Sequence, residues 1–256
     1  MKLDWYRDGF IKIDNKIYSL AEAVTFFPNS IKEISIFVKA EIDRAENTKQ
    51  IHQNNIDKIL VIEEKVKKII ASLNLKKCGK DWQENKENIY KIFKYIIQSS
   101  KYDEKIMLEK KAILNLNIDD QEKAHTMEIN EIYNCLINHK SVCTSDSFAM
   151  SFILRALGFK AYHATTENLT DGGYHEVVLI IFDNESYICD PTIFREAFET
   201  GWLKDISKDY FIFKEKDYCQ YICSGEREVV YVHPPIIFTE NGEDMFKKGE
   251  DENGRQ

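Results

Sequence analysis

A chain of 256 residues with 43% hydrophobic and 30% charged side chains has the composition of a folded globular protein, long enough for one large domain or a domain with an appendage. Its 43 acids outweigh 35 Lys and Arg, giving a net charge of −8 without a strong basic cluster, which argues against nucleic acid as a partner. No apolar run approaches the roughly 20 residues that cross a bilayer, and Met1-Lys-Leu-Asp-Trp-Tyr-Arg-Asp8 is charged where an export signal would be apolar, so a cytoplasmic chain with reduced thiols and no membrane partner is expected.

Phe10-Ile-Lys-Ile-Asp-Asn-Lys-Ile-Tyr18 alternates apolar and polar residues around Asp14-Asn15, the pattern of a small hairpin. Residues 19–44 suggest short helices broken at Pro28-Asn-Ser30. From about Thr48 to Asn74, Ile51, Ile56, Ile59, Leu60, Ile62, Val66, Ile69 and Ile70 recur at helical spacing, with lysines opposite. Leu75-Lys-Lys-Cys-Gly-Lys-Asp81 has the look of a linker, with Gly79 as a cap or turn. A second amphipathic helix covers Glu87 to Ser99, and another runs from Glu122 to Leu136. Beyond Asp190, Tyr210-Phe-Ile-Phe213 and Glu228-Val-Val-Tyr-Val232 predict further strands, and the acid-rich segment 240–256 predicts a mobile tail.

The chemistry centres on Cys143. It opens Cys143-Thr-Ser-Asp-Ser-Phe-Ala-Met-Ser-Phe-Ile-Leu-Arg-Ala-Leu-Gly158, a helix apolar on most faces and stopped by Gly158. Free N–H groups and the helix dipole at such a start favour a thiolate, the nucleophilic form of the side chain. His175 heads an apolar strand, Tyr174-His-Glu-Val-Val-Leu-Ile-Ile-Phe182, and Asp190 ends the next, Ser186-Tyr-Ile-Cys-Asp190. If Asp183-Asn184 is a two-residue hairpin loop, His175 lies opposite position 192, and Asp190 becomes its diagonal neighbour on the same face. The three side chains then supply a nucleophile, a base that later returns the proton to a leaving amine, and an acid that orients the base, with the Cys143 N–H as an oxyanion donor. His163 is a rival base, but it lies inside a strand. Cys219 and Cys223 stand four apart with no second pair near them, so neither a metal site nor a cofactor is expected. Cys189 should pack in the core.

These blocks resemble the transglutaminase-like superfamily. The resemblance rests on His139-Lys-Ser-Val-Cys143 through Leu157-Gly-Phe159, on Lys160-Ala-Tyr-His-Ala164, on Gly173-Tyr-His175 and on Asp190-Pro-Thr192. Upstream, Ile89-Tyr-Lys-Ile-Phe-Lys-Tyr-Ile-Ile-Gln-Ser-Ser-Lys-Tyr-Asp103 is similar to the family's helix ending in Tyr-Asp. It covers residues 87–193. Departures are Ser141 where Gly is frequent, Glu176-Val177 after the His, and Tyr187 where Trp is frequent.

The resemblance implies an α+β, papain-like core in which a central nucleophile helix packs on an antiparallel sheet, with Cys143, His175 and Asp190 as its triad and Tyr102 as a further oxyanion donor. The expected organisation is a mainly helical extension over 1–80, a catalytic domain over 81–239 and the tail over 240–256. The expected activity is acyl transfer from an amide of a peptide or protein substrate through a thioester. Hydrolysis is favoured over amine transfer because no calcium loop or amine-binding feature is visible. A non-catalytic binding module on the same fold is the other class, and a metal hydrolase lacks a ligand cluster.

Overall fold

The computed structural model describes residues 1–7, 10–20, 23, 26–44, 49–118, 120–168, 172–200, 207–208, 210–215, 217–218 and 227–232. The expectations for Cys219, Cys223 and the segment 240–256 lie outside the described residues. The chain divides into two compact units, one reaching to Glu64 and one beginning at Lys65.

The first unit opens with a three-stranded antiparallel sheet, β1 (Leu3–Arg7), β2 (Phe10–Ile13) and β3 (Lys16–Ser19). The hairpin between β2 and β3 turns at Asp14 and Asn15, whose φ values of 49° and 69° are those of a type I′ turn, which Asn and Asp tolerate well. The strand at Leu3–Arg7 is an addition to the elements expected from the sequence. Leu20, Ala23 and Phe26 are helical, and the predicted break at Pro28 is a 3₁₀ turn, Pro28–Ser30, which leads into helix α1 (Ile31–Arg44). Ile11, Ile13, Tyr18, Ala23 and Ile34 form the core here. Helix α2 (Lys49–Ser72) follows; of the residues the helical spacing selects, Ile56, Ile59, Ile62, Val66 and Ile69 are buried, Ile51 and Ile70 are partly buried and Leu60 is exposed, while Asn55 and Glu63 are buried as well.

In the second unit the segment 75–81 is tied down rather than loose. Asn85 and Asn88 of α3 (Trp82–Ser99) are buried and hydrogen-bond in both directions with it, Asn85 to the N–H and C=O of Gly79 and Asn88 to those of Lys76. Asp81 caps α3 by accepting from the Glu84 N–H. Two strands of two residues each, β4 (Lys101–Tyr102) and β5 (Lys140–Ser141), pair in parallel. Between them lie α4 (Ile106–Leu114) and α5 (Asp120–Leu136).

Helix α6 (Cys143–Ala156) buries Ala149, Met150, Ile153 and Leu154 completely, as its composition requires. It packs on α3, on α5 and on two strands of a five-stranded antiparallel sheet. Gly158, at φ 84°, ends it. The Gly158 N–H reaches the Arg155 C=O and the Phe159 N–H reaches the Leu154 C=O, the pair of bonds that closes a Schellman motif. The sheet is built from β6 (Lys160–Asn168), β7 (Tyr174–Phe182), β8 (Glu185–Cys189), β9 (Ile212–Lys214) and β10 (Arg227–Val232), in the order β10-β6-β7-β8-β9.

The β7–β8 hairpin has the expected register. Phe182 pairs with Glu185 and Val178 with Cys189, around Asp183 and Asn184 at φ 50° and 61°. Trp82 stacks on Phe182 and on Tyr187, at centroid distances of 5.1 and 4.3 Å, so Tyr187 has a packing role. Helix α7 (Pro191–Glu199) is a further addition to the expected elements. Among the described residues no helix is long and apolar enough to cross a membrane.

Candidate active site

Asp190 links the sheet to α7. Its Oδ1 accepts from the backbone N–H groups of Thr192 and Ile193, each at 3.2 Å, which makes it the N-cap of α7, with Pro191 at the first helical position. That cap fixes the carboxylate and turns Oδ2 toward β7. There Oδ2 lies 2.8 Å from Nε2 of His175, the diagonal contact that the hairpin register requires. Asp190 is fully buried, and the His175 side chain retains 16% exposure.

Cys143 is half-buried at the first position of α6, and its side chain, by hydrogen bonding and charge, is among the influences that raise the His175 pKa. Burial alone would push the imidazole toward its neutral form. The Asp190 carboxylate and the Cys143 side chain outweigh burial, and the His175 pKa rises to about 10. Burial likewise pushes Asp190 up, but His175, a phenol from Tyr218 and the Ile193 N–H hold its carboxyl below the ordinary value. At neutral pH the ring is therefore an imidazolium on an ionised carboxylate.

The turn that carries Cys143 is held from two sides. On one, Ser145 Oγ accepts from the Val142 N–H at 3.2 Å and donates to the buried Glu131. Lys110 of α4 bridges Glu131, at 3.0 Å, and Thr144 Oγ1, at 2.7 Å. On the other side, Asp146 and Arg195 form a fully buried bidentate pair, with both nitrogen–oxygen distances 2.8 Å. Arg195 also donates to the Ile96 C=O, to Ser100 and to Ser141, and Thr192 Oγ1 donates to Asp146 at 3.0 Å. One guanidinium thus joins the end of α3, strand β5, the first turn of α6 and α7.

His163 is engaged elsewhere. Its Nε2 lies 2.8 Å from Glu176 Oε2 and its ring packs on Phe148 at 3.8 Å; burial pushes it below its ordinary pKa despite Glu176. The alternation of β7 sends Glu176 to the side opposite His175. Tyr102 lies on β4, beside Ser141 and two residues upstream of Cys143 along the partner strand, and is exposed. Cys189 is buried with its thiol pushed up, as is Cys135. Among the described residues no three His, Cys, Asp or Glu side chains are grouped as a metal site needs.

No family model matches the chain, and no curated protein does. Among solved structures, it is similar to a TGase at 18% identity and a TM-score of 0.38, over 75% of this chain and 44% of that one. It is also similar to an arylamine N-acetyltransferase from Bacillus cereus with a Cys-His-Glu catalytic triad, at 17% identity and a TM-score of 0.31, over 50% of this chain and 49% of that one. The chain spans about half the length of each, and likeness at this level assigns neither family nor activity.

Sequence reasoning missed Asp146, Arg195, Thr192, Lys110, Glu131 and Tyr218. For Thr192 a signal existed: Asp-Pro-Thr carries an N-cap residue followed by Pro, which starts a helix as readily as it makes a turn.

Proposed function

We propose that the chain is a cysteine enzyme that cleaves amide bonds through a thioester on Cys143, with water as the preferred acceptor. The observation that carries this is His175, whose ring has Asp190 2.8 Å from one nitrogen and Cys143 as its other partner. In this proposal the nucleophile helix on an antiparallel sheet is a papain-like, transglutaminase-like core.

Cys143 attacks the carbonyl carbon as its thiolate, the nucleophilic form of the side chain. The carbonyl oxygen takes the electron pair and is met by the Cys143 N–H, which has no acceptor within its own helix. Tyr102 is the second candidate donor. The C–N bond then breaks, and the imidazolium of His175 gives its proton to the departing nitrogen. Water attacks the thioester, its proton passes to His175, and the carboxylic acid leaves as the sulfur is released. His175 therefore acts first as an acid, its proton already in place. The exposure that His175 and Cys143 retain gives water access to the thioester, which favours hydrolysis over amine transfer.

This role fixes the sign of the pH dependence. The imidazolium is present below its pKa and lost above it, so the rate of amide cleavage should fall tenfold per unit as pH rises beyond about 10. A pH–rate profile on a stable amide substrate measures this. A rate still climbing well above that point would contradict the acid role.

Acceptor choice is tested with a fluorescent primary amine offered alongside a glutamine-containing peptide. Ammonia or cleaved peptide, with no amine incorporated and no activity in Cys143→Ala, is the expected result. Efficient amine incorporation would make the chain a transferase. No Cys143-dependent product with any amide donor would sink the proposal and leave a binding module.

A further inference from the structure

The carboxylate of Asp190 has one more partner that neither the register nor the helix cap accounts for. The phenol O–H of Tyr218, beyond β9, donates to Oδ2 at 2.7 Å, the same oxygen that faces His175. The Tyr218 ring is fully buried in an apolar cluster with Ala164, Val177, Leu179 and Ile188. Its hydroxyl is therefore delivered by packing, with no freedom to swing away. A buried phenol needs an acceptor, and the Asp190 carboxylate supplies one here.

Asp190 consequently divides its two oxygens. Oδ1 is consumed by the Thr192 and Ile193 N–H groups of α7, and Oδ2 is shared between an imidazole and a phenol. We infer that Tyr218 is a fourth member of the constellation, a positioning residue that holds Oδ2 in the His175 ring plane and spreads its negative charge. The inference rests on the reading of Cys143, His175 and Asp190 as a catalytic set, and it adds that the strength of the carboxylate's pull on the imidazolium is set from outside that set.

The consequence has a definite sign. A donor on Oδ2 stabilises the carboxylate and lessens its attraction for the proton on His175. Removing the donor concentrates charge on Oδ2 and tightens the imidazolium pair. Among the described residues, the groups that face this pair are Cys143 from α6 on the ring, Tyr218 and the α7 N–H groups on the carboxylate, and, through Thr192, the Asp146–Arg195 pair. Glu176 lies on the opposite side of its strand, and the Cys189 thiol feels the Asp190 charge but is itself pushed up by burial and stays neutral beside it.

The experiment is an NMR titration of the His175 imidazole, assigned by loss of its signal in His175→Gln, in the full chain. In Tyr218→Phe the midpoint should move up by about half a pH unit. Since removing a buried hydroxyl can cost folding, the second arm leaves the packing intact. Biosynthetic 3-fluorotyrosine, a more acidic phenol and stronger donor, should move the midpoint down. A midpoint unchanged, or moved in the opposite sense, in either sample overturns the inference. This readout needs no turnover, so its failure is distinct from failure of the acyl-enzyme proposal, which would appear as absence of Cys143-dependent product in the unsubstituted protein. Where both hold, the alkaline limb of the rate profile tracks the NMR midpoint.

Discussion

Replacing Cys143 by Ala should lower amide turnover on the order of 10⁶-fold, to the level left by binding and oxyanion donors alone. His175→Ala should cost nearly as much, and the double variant little more than either, because nucleophile and acid act as one unit. The same residue should dominate chemical labelling. Burial pushes the thiols of Cys135 and Cys189 up and closes them off, and burial also pushes half-buried Cys78 up. Cys143 alone among the described cysteines acts on the His175 imidazole. Limiting iodoacetamide followed by peptide mass mapping should therefore find it modified first, and His175→Ala should remove that preference. Equal labelling of Cys78 and Cys143 in the unsubstituted protein would favour a binding module over an enzyme.

The largest expected effect on stability lies at Arg195. Arg195→Met removes a guanidinium that satisfies a fully buried carboxylate and donates to Ile96, Ser100 and Ser141. Leaving Asp146 uncompensated should destabilise the second unit by about 3–5 kcal/mol. Asp146→Leu combined with Arg195→Met removes both charges and should recover a substantial part of that loss. Urea unfolding of the three proteins, monitored by tryptophan fluorescence, measures both effects. A single variant that loses less than about 1 kcal/mol would show that water reaches and solvates Asp146, and that the guanidinium is no clamp.

What was legible in the sequence was local. The helix after Cys143 announced itself by apolar residues on most faces and a Gly at its end, and both features have physical causes that act within a few residues. The β7–β8 hairpin was legible because Asp-Asn is a pair that accepts left-handed φ, and a two-residue loop fixes the register of everything around it. From that register the approach of His175 to Asp190 followed by counting. What was not legible was pairing at a distance. Asp146 and Arg195 are charged residues inside helices, and such residues are ordinarily solvated, so nothing in either neighbourhood indicates a partner 49 positions away. Tyr218 is 28 positions beyond Asp190, in a stretch whose aromatics suggested only more strand. The β4–β5 pair is two residues long, too short for any alternation to show.

Helix α7 gives the site a clock face. Asp190 sits at its cap and Arg195 five residues on, and each residue of an α-helix advances by about 100°. The direction in which the guanidinium points is thereby locked in phase with the carboxylate that steadies His175. One residue added or lost between Pro191 and Phe194 would rotate Arg195 about a quarter-turn out of its slot, while the five strands and their ladder remained intact. The spacing from 190 to 195 is thus a constraint on evolution of the chain as firm as the identity of either residue, and tolerance of length changes should begin only beyond it.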